Sequence, residues 1–323
     1  MNSDSPAGPE SHSAKRLRVA DGQAGQRLDN WLFRELKSMP KSHIYRLIRT
    51  GQVRVGGGRC RPGYRVKSGD EVRIPPQAAP GLRRTRKNGP HPLPDFFLQP
   101  LYEDEDLLIL NKPAGLAVHG GSGIDSGLIE RLRHGRRERE FLELAHRLDR
   151  GTSGCLILAR NRSTLLALHQ ALRNQKITKG YLGLLAGTPA WKTQTVDQAI
   201  TRHVLPDGTT PGKDARSHFR IVRLWTACAL AEISIETGRT HQIRIHAASL
   251  GHPIAGDPRY GDRTFNRRLK TDCGLNGPFL HARSVRLVHP RTHEPLFIQA
   301  PLPAGHEAVL ARLDGRDEAQ GTG

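Results

Sequence analysis

The stretch HRLDRGTSG, residues 146–154, carries the side chains of this chain best placed for chemistry. Asp149 stands between Arg147 and Arg150, and nearby cations favour the charged form of a carboxylate. The Gly-Thr-Ser-Gly run that follows lets the backbone come close to a ligand. Two readings fit these residues. One is a site built round Asp149; the other is a salt-bridged turn ahead of the apolar segment 155–159. His146 suggests a histidine–aspartate pair, but no serine or cysteine nucleophile has a suitable setting and G-x-S-x-G is absent, which argues against a hydrolytic triad.

Other chemistries find less support. Cys60, Cys155, Cys228 and Cys273 share no C-x-x-C spacing, so neither a zinc site nor a disulfide framework is indicated, and no metal site is expected. They read as reduced, mostly buried thiols of a cytosolic protein. No dinucleotide fingerprint or phosphate loop occurs, and Gly56-Gly57-Gly58 and Gly120-Gly121 read as turns. The acidic run 103–106 reads as a solvated turn before a strand, with a magnesium site as the weaker alternative.

Asp149 needs elements to hold it. The apolar runs 107–110 and 155–159 predict buried strands, and 181–185 a third. Residues 161–176 predict a helix that buries Leu165, Leu166, Leu168 and Leu172. In 229–236, Ala229, Ala231, Ile233 and Ile235 share one face, the pattern of an antiparallel strand with one solvated side. Arg244 taken alone reads as a surface arginine on a strand.

Nearer the N-terminus, Leu28, Leu32 and Leu36 lie on one face of a predicted helix. A second helix starts from Ser42 as N-cap and closes at Gly51. Short strands are expected at 52–55, at Val66 and at 71–74, with turns at 56–58 and 68–70.

The chain divides into a Ser/Pro-rich tail (1–14), a small module (15–75), a linker (76–99), a larger domain (100–305) and a disordered tail (306–323) that follows a short helical turn. Seven prolines between 75 and 100, with the basic knot 83–87, mark the linker. Net charge is +19, with 50 Lys and Arg against 31 Asp and Glu, which favours a polyanionic partner. Nucleic acid is the first candidate, ahead of an anionic membrane surface or a generic basic surface. Residues 15–75 alone hold fifteen Lys or Arg against five Asp or Glu. Arg46 and Arg49 share a helical face, with more arginines on the hairpin beyond, an arrangement suited to gripping phosphates without reading sequence. The run 131–139, RLRHGRRER, reads equally as an RNA contact or a solvated loop. The first residues lack the apolar core of a secretory signal, and no apolar run is long enough to span a membrane.

RLDNWL, SHIYRLIRTGQVRV and GYRVKSGDEVRI together resemble the S-four RNA-binding module, with Gly56-Gly57 where its hairpin usually has asparagine-glycine. HRLDRGTSG strongly resembles the catalytic motif of the RluA-type family of RNA pseudouridine synthases. Around it, 112–119 (KPAGLAVH), 179–182 (KGYL), 237–246 (TGRTHQIRIH), 251–254 (GHPI), 257–262 (DPRYGD) and 279–282 (FLHA) are similar to the family's other motifs, in order. The segments RYGDRTFNRRL and GLNGPFLHA are most similar to the C-type branch, which acts on large-subunit (23S) ribosomal RNA.

The resemblance implies an α+β protein: a small RNA-binding module linked to a mixed, largely antiparallel catalytic sheet. It implies an isomerase that needs no cofactor and acts on a flipped-out base through Asp149, with Arg244 pairing with the carboxylate and Tyr181 stacking on the base and assisting proton transfer. Arg147 would enter the space the base leaves, and Leu280 would pack against the uracil as an apolar wall; Arg46 and Arg49 would hold the RNA. The chain is expected to be monomeric, cytoplasmic and free of membrane. A non-catalytic ribosome-assembly factor, or a synthase acting on transfer RNA, are the alternatives.

Overall fold

The computed structural model describes residues 14–36, 39, 41–75, 100–120, 126–134, 141–201 and 212–321. The expected tail 1–14 (but for its last residue), the linker 76–99 with its basic knot, and the end of the basic run 131–139 lie outside them. Two compact units divide the chain, Met1–Gly89 and Pro90–Gly323.

The first unit runs β1 (Lys15–Arg18), α1 (Leu28–Glu35), α2 (Lys41–Arg49), β2 (Arg54–Val55), β3 (Gly58–Arg59) and β4 (Glu71–Ile74). Its antiparallel sheet has the order β1-β4-β2-β3. Leu28, Leu32 and Leu36 share a core with Trp31, Ile44, Leu47 and Ile48, as helical spacing requires. Helix α2 begins one residue before the expected cap Ser42. Val66 is buried but belongs to no strand; its neighbour Arg65 makes only an isolated bridge to Arg27. Gly56 and Gly57 both have positive φ, which the tight β2–β3 hairpin requires.

The second unit runs β5 (Pro100–Glu103), β6 (Leu107–Lys112), α3 (Leu128–His134), β7 (Glu143–Leu144), β8 (Ser153–Ala159), α4 (Arg162–Arg173), β9 (Thr178–Ala186), β10 (Thr193–Asp197), β11 (Arg216–Trp225), β12 (Cys228–Ile235), α5 (Gln242–Ser249), α6 (Arg263–Cys273), β13 (Leu280–Val288), β14 (Pro295–Gln299) and α7 (Ala304–Gly321). One sheet spans it in the order β10-β11-β12-β9-β13-β8-β6-β5, with β14 on β13 and β7 on β8. Its pairings are antiparallel except β13 with β8. That seam is close: Gly154 has φ +106°, and a Cβ there would meet the Ala282 carbonyl at 2.2 Å, so only glycine fits. Across the seam His281 donates from Nε2 to the Ala300 carbonyl (3.2 Å) and so accepts at Nδ1 from the Ser153 hydroxyl (2.9 Å).

Several expectations are corrected. Leu166 is 58% exposed, because it points away from the stripe carrying Leu168, Leu165 and Leu172. Strand β12 keeps its solvated side only at Glu232 and Ser234; its first half is covered on both faces, with Leu230 buried in a second cluster with Trp225, Phe279 and Leu313. That cluster needs α7, which replaces the expected tail 306–323. Val309 and Leu313, four apart, form its apolar stripe, Trp225 Nε1 donates to Asp314 (2.8 Å) and the Thr226 hydroxyl to Asp317 (2.7 Å).

His306, on the same helix, is buried and stacked on Phe279 with ring centroids 4.1 Å apart. Its Nδ1 finds no partner among the described residues. Burial, helped by His281, pushes its pKa down to about 4. A folded pKa below the unfolded value gives stability that is present above about pH 6.5 and lost as pH falls through about 4, because the unfolded chain takes up the proton first. His306→Phe is therefore expected to lose less stability than the parent between pH 6.5 and 4 in urea titrations. Parallel pH curves for the two proteins would contradict this account.

Candidate active site

Asp149 lies on the loop between β7 and β8, and three sets of contacts fix that loop. Gly115 donates its amide to the Arg150 carbonyl (2.8 Å), and Arg150 Nε donates back to the Gly115 carbonyl (2.9 Å). Lys112, at the end of β6 and 1% exposed, donates from Nζ to the carbonyls of Pro113 (2.7 Å), Leu116 (2.8 Å) and Arg150 (3.4 Å). Burial pushes its pKa down to about 7, with Asp149 opposing, while three carbonyls use every N–H of the ammonium form. On the loop's other side, the Ile157 amide donates to His146 Nε2 (3.1 Å). Burial holds His146 near pKa 4, so it is a neutral acceptor within the fold and does not pair with Asp149.

The partner of Asp149 comes from α5, where Arg244 is a buried helical residue and not the surface strand arginine expected of it in isolation. Arg244 NH1 donates to Asp149 Oδ2 at 3.3 Å. Its remaining donors grip Asp257: Nε to Oδ2 at 2.6 Å and NH2 to Oδ1 at 2.8 Å. Asp257 is fully buried, and the amides of Arg259 (2.9 Å) and Tyr260 (3.2 Å) donate to the same carboxylate. Burial opposes its charge, but Arg244 and these amides outweigh it and hold the pKa below the usual carboxylate range. A two-pronged grip fixes the guanidinium plane, and so the direction of NH1.

Helix α5 is itself pinned. Gln242 accepts from the Thr237 hydroxyl (2.7 Å) and the Arg239 amide (3.0 Å), and donates to the Arg216 carbonyl (2.9 Å). His246 donates from Nε2 to the Gln198 carbonyl (3.0 Å), which leaves Nδ1 to accept from the Ser217 hydroxyl (2.9 Å).

A cavity of about 190 Å3 opens over Asp149. Arg147, Tyr181 and Arg244 line it, with Leu148, Ile235 and Ile243 as its apolar wall. Tyr181 is 7% exposed on β9, and burial first, then Asp149, raises its pKa, so its phenol stays neutral at physiological pH. Leu280 starts β13 at 3% exposure; it shares the core cluster of Tyr181 but is not among the residues lining the cavity. Arg46 and Arg49 are exposed on α2 of the first unit.

Two contributors were quoted in sequence motifs but given no role. Asp257 is one. The other is His241, which precedes α5 in a left-handed conformation (φ 58°), with Nε2 3.9 Å from Asp149 Oδ2 and Nδ1 3.1 Å from the Tyr260 hydroxyl. An ionisable side chain held at positive φ beside a carboxylate is a marker of a functional site that spacing alone does not reveal. The acidic run 103–106 is a turn before a strand, as expected, with Glu103 and Glu105 exposed, but Asp104 and Asp106 face inward. Asp104, Asp106 and His289 bring ligand atoms within 4.8 Å of one another, and the chain's own donors occupy them: Arg291 and Asn161 meet Asp106, and Tyr102 meets Asp104.

Removing one partner of a buried ion pair leaves the other unpaired, at a typical cost of about 3–5 kcal/mol. Asp257→Asn is expected to lower stability by about 3 kcal/mol in chemical denaturation. A loss below about 0.5 kcal/mol, typical of surface changes, would mean the grip does not carry the site.

The chain is similar to known proteins along nearly its whole length. A family model described as RNA pseudouridylate synthase matches residues 106–249, and an S4 domain model matches 26–72. The ribosomal large subunit pseudouridine synthase C of Escherichia coli is 43% identical over 316 residues, covering 94% of this chain and 98% of its own. That of Haemophilus ducreyi is 44% identical over 307 residues, covering 91% and 94%. Among solved structures, human RNA Pseudouridylate Synthase Domain Containing 4 aligns with a TM-score of 0.56 at 25% identity, over 67% of this chain and 92% of its own. The fold, the S4 module and identity across nearly the whole length lead to one conclusion: this chain belongs to the RNA pseudouridylate synthase family, and is a pseudouridine synthase.

Proposed function

We propose that the chain converts specific uridines of large-subunit (23S) ribosomal RNA to pseudouridine, with Asp149 as the essential carboxylate. The names of its relatives support the substrate. The observation that carries the residue assignment is the Asp257-gripped Arg244 aimed at Asp149 within a small cavity.

The reaction breaks the bond from the sugar to N1 of uracil, turns the base and rejoins it through C5. No atom is gained and no electron is transferred. The uridine must leave its helix or stack to reach the cavity. Asp149 then acts at the sugar, by one of two routes: attack on the anomeric carbon, or removal of the 2′ proton. Arg244 keeps the carboxylate oriented throughout. Tyr181, neutral and on the cavity wall, offers its ring as a stacking surface, an interaction typically worth about 1–3 kcal/mol per base. Arg147, exposed at the cavity, fills the gap in the RNA. Leu280 supports the pocket through the core it shares with Tyr181, and Arg46 and Arg49 hold RNA from the first unit. We read the enzyme as a monomer. An rRNA substrate supports a cytoplasmic one, and no helix among the described residues is long and apolar enough to cross a membrane.

Asp149→Asn is expected to reduce pseudouridine formation about 10³-fold or more while leaving RNA affinity within a few-fold, since it removes one charge among many contacts. Carbodiimide adduct mapping of ribosomal RNA from a deletion strain, complemented with parent or variant, reads both points. A complete modification pattern in the deletion strain would overturn the substrate, and full turnover by the variant would overturn the residue.

A further inference from the structure

The first unit carries a second feature that phosphate gripping does not need. Tyr45, on α2, is 43% exposed, and among the described residues of that unit no other large hydrophobic side chain is so open. Yet its ring is fixed. The hydroxyl donates to Asp29 Oδ2 (3.2 Å), and Asp29 is itself gripped by Arg27 through Nε (3.1 Å) and NH2 (2.7 Å). Phe33 packs against the ring edge-on, with centroids 5.7 Å apart. A tyrosine held at its tip and one side presents its remaining surface without further loss of side-chain freedom.

That surface borders an open depression of about 560 Å3, with Arg49, Arg59 and Arg61 around it. No ion pair or side-chain hydrogen bond engages these three guanidiniums among the described residues. Arg59 reaches its place by lying against the end of α2. Gly51 there has φ +71°, and a Cβ on it would meet Arg59 Nε at 2.6 Å. Glycine thus serves the helix terminus and the seating of the guanidinium together.

A clamped aromatic face ringed by unpaired guanidiniums matches one chemistry above others: a planar base with phosphate on either side. Bases in a duplex are stacked on each other and cannot use such a face. We propose that this depression binds an unpaired RNA nucleotide, its base stacked on Tyr45 and its flanking phosphates on Arg49, Arg59 and Arg61. The module then selects single-stranded RNA as well as gripping charge. The inference rests on the RNA-binding part of the proposed function and is independent of the role of Asp149.

Two measurements on the full chain test it. First, a single-stranded oligonucleotide of about 12 residues carrying 4-thiouridine is irradiated with the parent protein, and tryptic peptides are sequenced. An adduct on Tyr45, in peptide 42–46, is expected; labelling confined to other peptides overturns the proposal. Second, anisotropy titrations compare this RNA, without the thio group, with a counterpart whose bases are removed. Tyr45→Leu is expected to bind the base-bearing RNA about tenfold more weakly than the parent, and the abasic RNA equally well. Tyr45→Phe, which keeps the ring, is expected to bind both like the parent. Equal binding of both RNAs by Tyr45→Leu and parent, or an equal loss on both, would show that the base is not read. Pseudouridine formation is assayed in parallel: its absence alongside a Tyr45 adduct would sink the catalytic reading and leave this one standing.

Discussion

The pair between Arg244 and Asp257 is the constraint on which the site depends. A guanidinium has five N–H donors in a rigid plane, and a carboxylate that takes two of them leaves little freedom for the rest. Asp257 is fully buried and backed by two amides, so it orients Arg244 instead of competing for substrate. Asp149 thereby meets a donor whose position is set before any RNA arrives. Such preorganisation is what electrostatic catalysis requires, because a site that must first rearrange loses the advantage of its charges.

The two sides of that pairing are held by different means. Lys112 and the two hydrogen bonds between Gly115 and Arg150, one from the Gly115 amide and one from Arg150 Nε, stitch the Asp149 loop to the end of β6. Gln242 and His246 tie α5 to β11 and to the Gln198 carbonyl. Only their convergence makes a cavity, and neither half shows by itself what it is for.

That explains how much was legible beforehand. Local patterns revealed the strands at β6, β8 and β9 and the helix α4, because alternation and helical periodicity depend on near neighbours. Asp149 was visible as an ambiguous carboxylate, and motif resemblance resolved it. Arg244 taken alone reads as a strand residue, since IRIHAA alternates apolar and polar positions as a strand does, and tertiary packing overrides so short a pattern; only the motif resemblance pointed to its pairing with Asp149. Asp257 had no local signature: its meaning lies in a contact thirteen residues away. Helix α7 was taken for a tail because its glycines and acidic residues outweigh a stripe of three apolar side chains. Its burial is decided by a cluster contributed from β9, β12 and α6.

The one parallel pairing in the catalytic sheet also bears on how the chain comes into being. Ser153 and His281, joined across that seam, are 128 residues apart. At ribosomal synthesis rates of about 5–20 residues per second, roughly 6 to 25 s separate their emergence. During that interval β8 exists without its parallel neighbour, although the contacts that fix the Asp149 loop, all within residues 112–157, can already form. The parallel seam of the catalytic sheet can therefore close only after residue 281 has emerged, late in the synthesis of the chain.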